Sequence, residues 1–314
     1  MRRSALPRLQ TLKTCTHGRQ LYHDESHRPL TTNRHLSIFI TGGSRGIGLA
    51  IAKQFARHPN VNTCIIGRDE TSLRSAAQSI ADLHATPANA HSPSPARERA
   101  SSYIVGDVTS REFWQSLARG TLSVTEISGK SAPADPAAWD VLVNAAGVSK
   151  TAIFVRQNAD AIDHVFQTNL MGTTWACKYM IPGMMKRLRL LREDVELDHH
   201  PGASIVNVSS LLGVKGGVGS AAYAASKAGV LGLTRALAAE YGPLGLRVNA
   251  LVPGYVETAM TDAMETKAHD AARDSIPLKR FATADEIASA AVFLVTNRYA
   301  NNCVLNLDGG LSAT

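Results

Sequence analysis

The sequence predicts one doubly wound α/β domain, a parallel sheet with helices on both faces, spanning residues 35–314. Three observations carry this. From His35 onward, short β-rich runs alternate with stretches of helical periodicity. The runs are continuously apolar, as strands buried on both faces are. The first run passes into the first helix through a glycine-rich turn.

In order, the elements are a strand at Leu36–Thr41, a helix at Gly46–Arg57, a strand at Val61–Gly67 and a helix at Glu70–Leu83. Further strands are expected near Ser102–Val105, Trp139–Ala145, Ala203–Val208, Leu246–Leu251 and Val304–Leu307. A long helix opens at Tyr223 and carries Ala228, Leu231, Leu233, Leu237 and Ala238. Three segments, near 85–102, 120–138 and 187–200, are rich in Pro, Ser, Gly or charge and lack apolar periodicity. They are expected to be solvated loops or helix extensions that decorate one domain.

The formal charge of +7 is concentrated at one end. Residues 1–34 hold seven Lys or Arg against Asp24 and Glu25, a net +5, which leaves +2 for the body. A nearly balanced body with 5% aromatic residues gives little reason to bind nucleic acid. Arg mixed with Ser, Thr and Leu before the first acid is the composition of an import presequence, so residues 1–34 are read as a mitochondrial matrix signal. The alternative is a disordered extension on a cytoplasmic protein. No apolar run approaches the roughly 18 residues needed for a membrane span. Cys15, Cys64, Cys177 and Cys303 stand far apart, without metal-ligand spacing, and suit reduced, buried thiols.

The turn Thr41-Gly42-Gly43-Ser44-Arg45-Gly46-Ile47-Gly48 joins a strand to a helix N-terminus. Its glycines allow positive φ and close backbone approach, and the free amides at the helix start attract a pyrophosphate. A plain strand-to-helix turn would read similarly. At the end of the second strand stands Gly67-Arg68-Asp69. An acid there would bind ribose hydroxyls, whereas Arg68, helped by Arg45, suits a 2′-phosphate, so NADPH is the expected cofactor. Asp69, one position on, keeps NADH open.

Tyr223 and Lys227, at i and i+4, share one helical face, and a neighbouring cation is expected to lower the phenol's pKa toward the range useful for proton transfer. Ser210 follows the strand Ala203–Val208 at the carboxyl edge of the sheet, where ligands bind. Asn169 adds a polar amide to an apolar stretch. These four are the candidate catalytic residues; each alone would pass as structural.

Taken together, these pieces resemble the short-chain dehydrogenase/reductase family from about His35 to the C-terminus, and within it are similar to 3-oxoacyl-[acyl-carrier-protein] reductases. The matches are Thr41–Gly48, Asp107-Val108, Asn144-Ala145-Ala146-Gly147, Asn169, Ser210, Tyr223-x-x-x-Lys227 and Pro253-Gly254-Tyr255-Val256-Glu257-Thr258. The resemblance implies a Rossmann fold that reduces a carbonyl with NADPH, as in fatty acid biosynthesis. It implies cofactor contacts from Gly42, Ser44, Arg45, Gly46, Ile47, Gly48 and Arg68, with Asp107 and Val108 at the adenine. It further implies contacts from Asn144, Ala145 and Gly147 after the strand that precedes them. It assigns Lys227 to the nicotinamide ribose along with Tyr223, Asn169 to a water in a proton relay, and Pro253, Gly254, Val256 and Thr258 to a loop closing over the nicotinamide. It also implies a homotetramer, or a mixed one, assembled through the long helices that hold Asn169 and Tyr223.

Three departures bear on these expectations. Ala145 stands where the family often has a second Asn, and Asn301-Asn302 replaces a more usual Gly. Pro243-Leu244-Gly245 stands where bacterial relatives place an arginine that meets the acidic carrier, for which Arg187, Arg189 and Arg192 are possible substitutes. Two rival readings remain: a family member acting on a steroid, polyol or other small carbonyl, and an inactive, cofactor-binding partner subunit.

Overall fold

A computed structural model describes residues 35–58, 60–84, 101–192 and 200–313. The expected presequence, the greater part of the 85–102 insertion and residues 193–199 of the charged one lie outside them. The strands are β1 (Leu36–Thr41), β2 (Val61–Gly67), β3 (Ser101–Val105), β4 (Ser123–Glu126), β5 (Ser131–Pro133), β6 (Val141–Asn144), β7 (Ser204–Val208), β8 (Arg247–Pro253) and β9 (Val304–Leu307). The helices that matter here are α1 (Gly46–Ala56), α2 (Glu70–His84), α3 (Arg111–Ala118), α4 (Ala159–Phe166), α5 (Gly172–Arg192), α6 (Leu212–Lys215), α7 (Ala221–Tyr241), α8 (Ala259–Asp262), α9 (Thr266–Ser275) and α10 (Ala284–Thr296).

The nine strands form one sheet in the order β5-β4-β3-β2-β1-β6-β7-β8-β9. All pairings from β3 to β9 are parallel. Because β1 pairs with both β2 and β6, the strand order reverses there, and Thr41 and Asn144 lie side by side at the carboxyl end of that switch. Alternating side chains feed two cores. Ile38 and Ile40 join Phe55, Leu73 and Leu294 on one face, while Phe39 joins Trp114, Leu142, Met180 and Met184 on the other.

The segment 120–138 corrects the expectation of a solvated loop. It folds into the antiparallel hairpin β4–β5, with β4 paired to β3, which extends the sheet past its expected edge. Four- and three-residue strands are too short to show a period, but the physical cause is visible: Gly129 takes φ +83° at the turn, and Leu122 and Val124 pack against the second core. In the charged insertion α5 continues to Arg192, as a helix extension would, and Arg187 donates from Nε to Oδ1 of the fully buried Asp140 at 2.9 Å. Arg187 therefore neutralises a core carboxylate and is withdrawn as a carrier contact. The Asn301-Asn302 turn behaves as anticipated, with Asn302 at φ +56° and Asn301 accepting from the Val248 amide.

Candidate active site

The site is built at the switch point. Gly42, at φ +66°, lies so close to the next crossover that a Cβ there would stand 2.7 Å from Ala146 Cα. Thr41 fixes the same junction from the other side, because its buried hydroxyl accepts from the amides of both Ala145 and Ala146 at 3.2 Å. Helix α1 then starts at Gly46 with no side-chain cap and no acid in its first turn, and Arg45 is its exposed N-cap residue. An uncapped helix start beside a close-approach glycine fits the pyrophosphate of a dinucleotide. Gly46, Ile47 and Gly48 supply that first turn, and Ser44 reaches toward Gly67 at the end of β2.

At the far end of the groove the structure separates Arg68 from Asp69. Asp69 accepts from the Ser72 amide at 2.8 Å, which caps α2, and hydrogen bonds from the Ser72 hydroxyl and then this amide draw its carboxyl below the usual range. Arg68 remains exposed. The neighbour that kept NADH open is thus committed to the helix. Asp107 binds the Thr109 amide and hydroxyl through Oδ1 at 2.9 Å. The Val108 side chain packs inward with the second core, and its carbonyl accepts from Trp114 Nε1 at 2.8 Å.

Asn144 closes β6 and turns its side-chain amide to neighbouring elements. It is buried, and its amide donates to Asn207 Oδ1 at 2.8 Å and to Cys177 Sγ at 3.5 Å. Asn207 in turn donates to Thr234 on α7 at 2.9 Å. This polar ladder locks β6, β7 and α7 in register. The sequence-level reading missed Asn207 and Thr234 because isolated Asn and Thr residues announce no partner.

The four candidate catalytic residues converge. Asn169 sits in a π-helical turn, Gln167–Met171, between α4 and α5, a local widening that often marks a functional position. Its Oδ1 accepts from Val148 N at 2.8 Å, and its Nδ2 donates to Val148 O at 3.0 Å and to Ser226 Oγ at 3.1 Å. The Asn169 side chain is therefore engaged with protein groups, and it pins the strand exit at Val148 to helix α7. A Cβ on Gly147 would lie 3.4 Å from both Asn169 Oδ1 and Lys227 Nζ, so both side chains reach this point of the strand exit. Ser226, missed in the sequence, also donates to the Tyr223 carbonyl at 2.7 Å.

Lys227 is buried and donates from Nζ to Val208 O at 2.7 Å; burial lowers its pKa to about 8. Its Nζ lies 5.9 Å from the centre of the Tyr223 ring, so both side chains do share one face of α7. The direction expected for the phenol is reversed, however. Burial raises the Tyr223 pKa above its ordinary value, and the hydrogen bond between its hydroxyl and that of Ser210 only partly opposes this. Tyr223 is held as a protonated phenol, which suits a proton donor. Ser210 also accepts from Leu212 N at 3.2 Å, fixing its hydroxyl at the end of β7. Ser209 donates to the Lys227 carbonyl at 2.8 Å and ties β7 to the middle of α7.

The last predicted element crosses the cleft. Pro253 O accepts from Leu211 N, and Gly254 N donates to Leu307 O, so the loop leaves β8 firmly anchored. Val256 is buried and bridges to Ala282. The Thr258 methyl lies 3.6 Å from where a Gly46 Cβ would stand, which brings this loop over the start of α1.

The chain matches the short chain dehydrogenase family model over residues 37–269. It is 32% identical over 278 residues to the 3-oxoacyl-[acyl-carrier-protein] reductase FabG of Chlamydia muridarum, covering 88% of this chain and 97% of that one. It is equally 32% identical to the 3-oxoacyl-[acyl-carrier-protein] reductase of Rattus norvegicus over 275 residues, with the same coverage. Carbonyl reductase family member 4 of Danio rerio is also 32% identical, over 87% of this chain and 96% of that one. Among solved structures, one from Beutenbergia cavernae that holds NADP at low occupancy superposes with a TM-score of 0.71 at 29% identity, over 91% of this chain and all of that one.

Proposed function

The chain belongs to the short-chain dehydrogenase family and so is an oxidoreductase acting between carbonyl and alcohol, and we propose that it uses NADPH to reduce 3-oxoacyl groups held on an acyl carrier protein, a step of fatty acid biosynthesis. One observation carries the reading: buried Ser210 and Lys227 and half-buried Tyr223 are gathered and hydrogen-bonded at the switch point that also presents the uncapped start of α1.

A bound nicotinamide supplies the hydride. The start of α1 would hold its pyrophosphate, and Arg68 with Arg45 would hold a 2′-phosphate. Ser210 and Tyr223 orient the substrate's carbonyl oxygen by hydrogen bonds, and Tyr223 gives its proton to that oxygen as the carbon is reduced. Lys227, with a pKa of about 8, is cationic at neutral pH and faces the phenol as negative charge develops there. Asn169 holds Val148 and Ser226 in place and so keeps the floor of the cleft fixed against α7.

Two further proposals accompany this. The composition of residues 1–34 supports import into the mitochondrial matrix. Helices α5 and α7, which border an open groove of about 320 Å³ lined by Cys177, Lys178, Ile181, Leu233, Leu237 and Tyr241, are the faces through which we propose a homotetramer or mixed tetramer to assemble. The second reading, a reductase of small ketones or alcohols, is favoured by the carbonyl reductase relative at the same identity. The intact Ser210–Tyr223–Lys227 group argues against an inactive partner subunit.

A substrate panel tests the assignment. Acetoacetyl thioesters, free ketones and ketosteroids are compared for oxidation of NADPH and NADH, and polyols and hydroxysteroids for reduction of NADP+ and NAD+. Thioester reduction with NADPH at least tenfold above all others is expected. Preference for a free ketone or for NADH would overturn it.

A further inference from the structure

Two loops leave the catalytic group and end in solvent-exposed apolar side chains. The first runs from Val148, which Asn169 clamps, to Ile153, Phe154 and Val155, which are 51%, 57% and 88% exposed. The second runs from Ser210 through α6 to Tyr223, and presents Val214 and Val218 at 55% and 90% exposure. The loops are fastened to each other. Ala152 N donates to Gly219 O at 3.0 Å, and Gln157 Nε2 donates to the carbonyls of Ala152 and Gly219 at 3.1 and 3.4 Å. The two loops that carry these five exposed aliphatic or aromatic side chains are therefore fastened to each other by one backbone and two side-chain-to-backbone hydrogen bonds.

Single exposed apolar residues need no explanation, but five on two fastened loops that both leave a polar catalytic group mark a binding surface. Its charge is one-sided. Segments 148–157 and 210–220 contain Lys150, Arg156 and Lys215 and no Asp or Glu; acids resume only at Asp160. Lys150 and Arg156 are exposed and flank the Ile153–Val155 triplet. A carbonyl substituent longer than a few carbons that leaves Ser210 and Tyr223 along these two loops meets this rim.

We infer that Ile153, Phe154, Val155, Val214 and Val218 seat the acyl chain of a thioester substrate, and that Lys150 and Arg156 hold the phosphorylated handle to which the chain is attached. The inference rests on the 3-oxoacyl reading above and names the part of the protein that would set chain length. Covering a methylene is worth up to about fourfold in binding, so the chain need only brush the rim to create a preference.

The test uses the full chain and its Val155→Ser/Val218→Ser and Lys150→Glu/Arg156→Glu double variants, all exposed positions outside the catalytic group. Twelve-carbon and four-carbon 3-oxoacyl thioesters are compared by kcat/KM. Wild type is expected to favour the longer chain by about tenfold, and the Val variant by less than about threefold with the four-carbon rate unchanged. The handle is varied among neutral N-acetylcysteamine, coenzyme A and acyl carrier protein. The charge-reversed variant is expected to lose about tenfold on coenzyme A and carrier and nothing on the neutral handle. Loss on the carrier alone would place the cations against carboxylates of the carrier surface, and no loss on either charged handle overturns their assignment.

Binding of cis-parinaric acid, a fluorescent long-chain fatty acid, decides the rim without turnover. Weaker binding in Val155→Asp/Val218→Asp supports it, and equal binding overturns it. Failure of every oxoacyl thioester to react, with probe binding still lost in that variant, would sink the 3-oxoacyl reading and leave the chain seat standing.

Discussion

Lys227→Met should make the protein more stable and nearly inactive. The ammonium is buried, and the one side-chain hydrogen bond found for it is to the Val208 carbonyl. Lowering its pKa from 10.5 to about 8 means that keeping the charge inside costs roughly 3 kcal/mol at neutral pH. Methionine fills a similar volume without that cost, but strands the carbonyl, which takes back about 1–2 kcal/mol. The net gain is about 1–2 kcal/mol, or roughly 2–4 °C in Tm for a chain of this length. The sign with pH follows from a folded pKa below the unfolded one. The cost is fully present below about pH 8 and disappears as pH rises from there toward 10.5, where lysine is neutral in both states. Thermal unfolding without added nucleotide, at pH 7 and pH 10, reads this directly. The variant should lead at pH 7 and lose its lead at pH 10, while carbonyl reduction falls by at least about 10² at pH 7. A variant no more stable than wild type at pH 7, or equally favoured at both pH values, would refute the account of Lys227 as a strained buried cation.

Tyr223→Phe should reduce turnover by about 10² to 10⁴ through loss of the proton donor, with nucleotide affinity by fluorescence titration kept within about threefold; near-normal turnover would discredit the role of the phenol. Arg68→Glu, at an exposed position, should leave the fold intact and raise KM for NADPH by about 10- to 100-fold while KM for NADH stays level or falls. An unchanged ratio of the two would show that Arg68 does not meet a 2′-phosphate.

The sequence alone determined the sheet's parallel core, because β1, β2, β6, β7 and β8 are continuous apolar runs and a strand buried on both faces needs no partner's identity to be recognised. It also placed the glycine turn and the Tyr223–Lys227 pair, since both depend on spacings within one local element whose geometry the backbone fixes. Tertiary structure decided everything that requires two distant segments to be weighed against each other. The hairpin at 123–133 exists because β3 offers an edge and the core offers a seat for Val124, neither of which lies in the hairpin's own residues. The Asn144 side chain is tied to Asn207 and through it to Thr234, residues 63 and 90 positions away, and Arg187 was claimed by Asp140, 47 positions away. The protonation of Tyr223 was set the same way: local spacing placed Lys227 on its face, but the desolvation that raises the phenol's pKa against the Ser210 hydrogen bond comes from packing by many elements at once, which no short segment encodes.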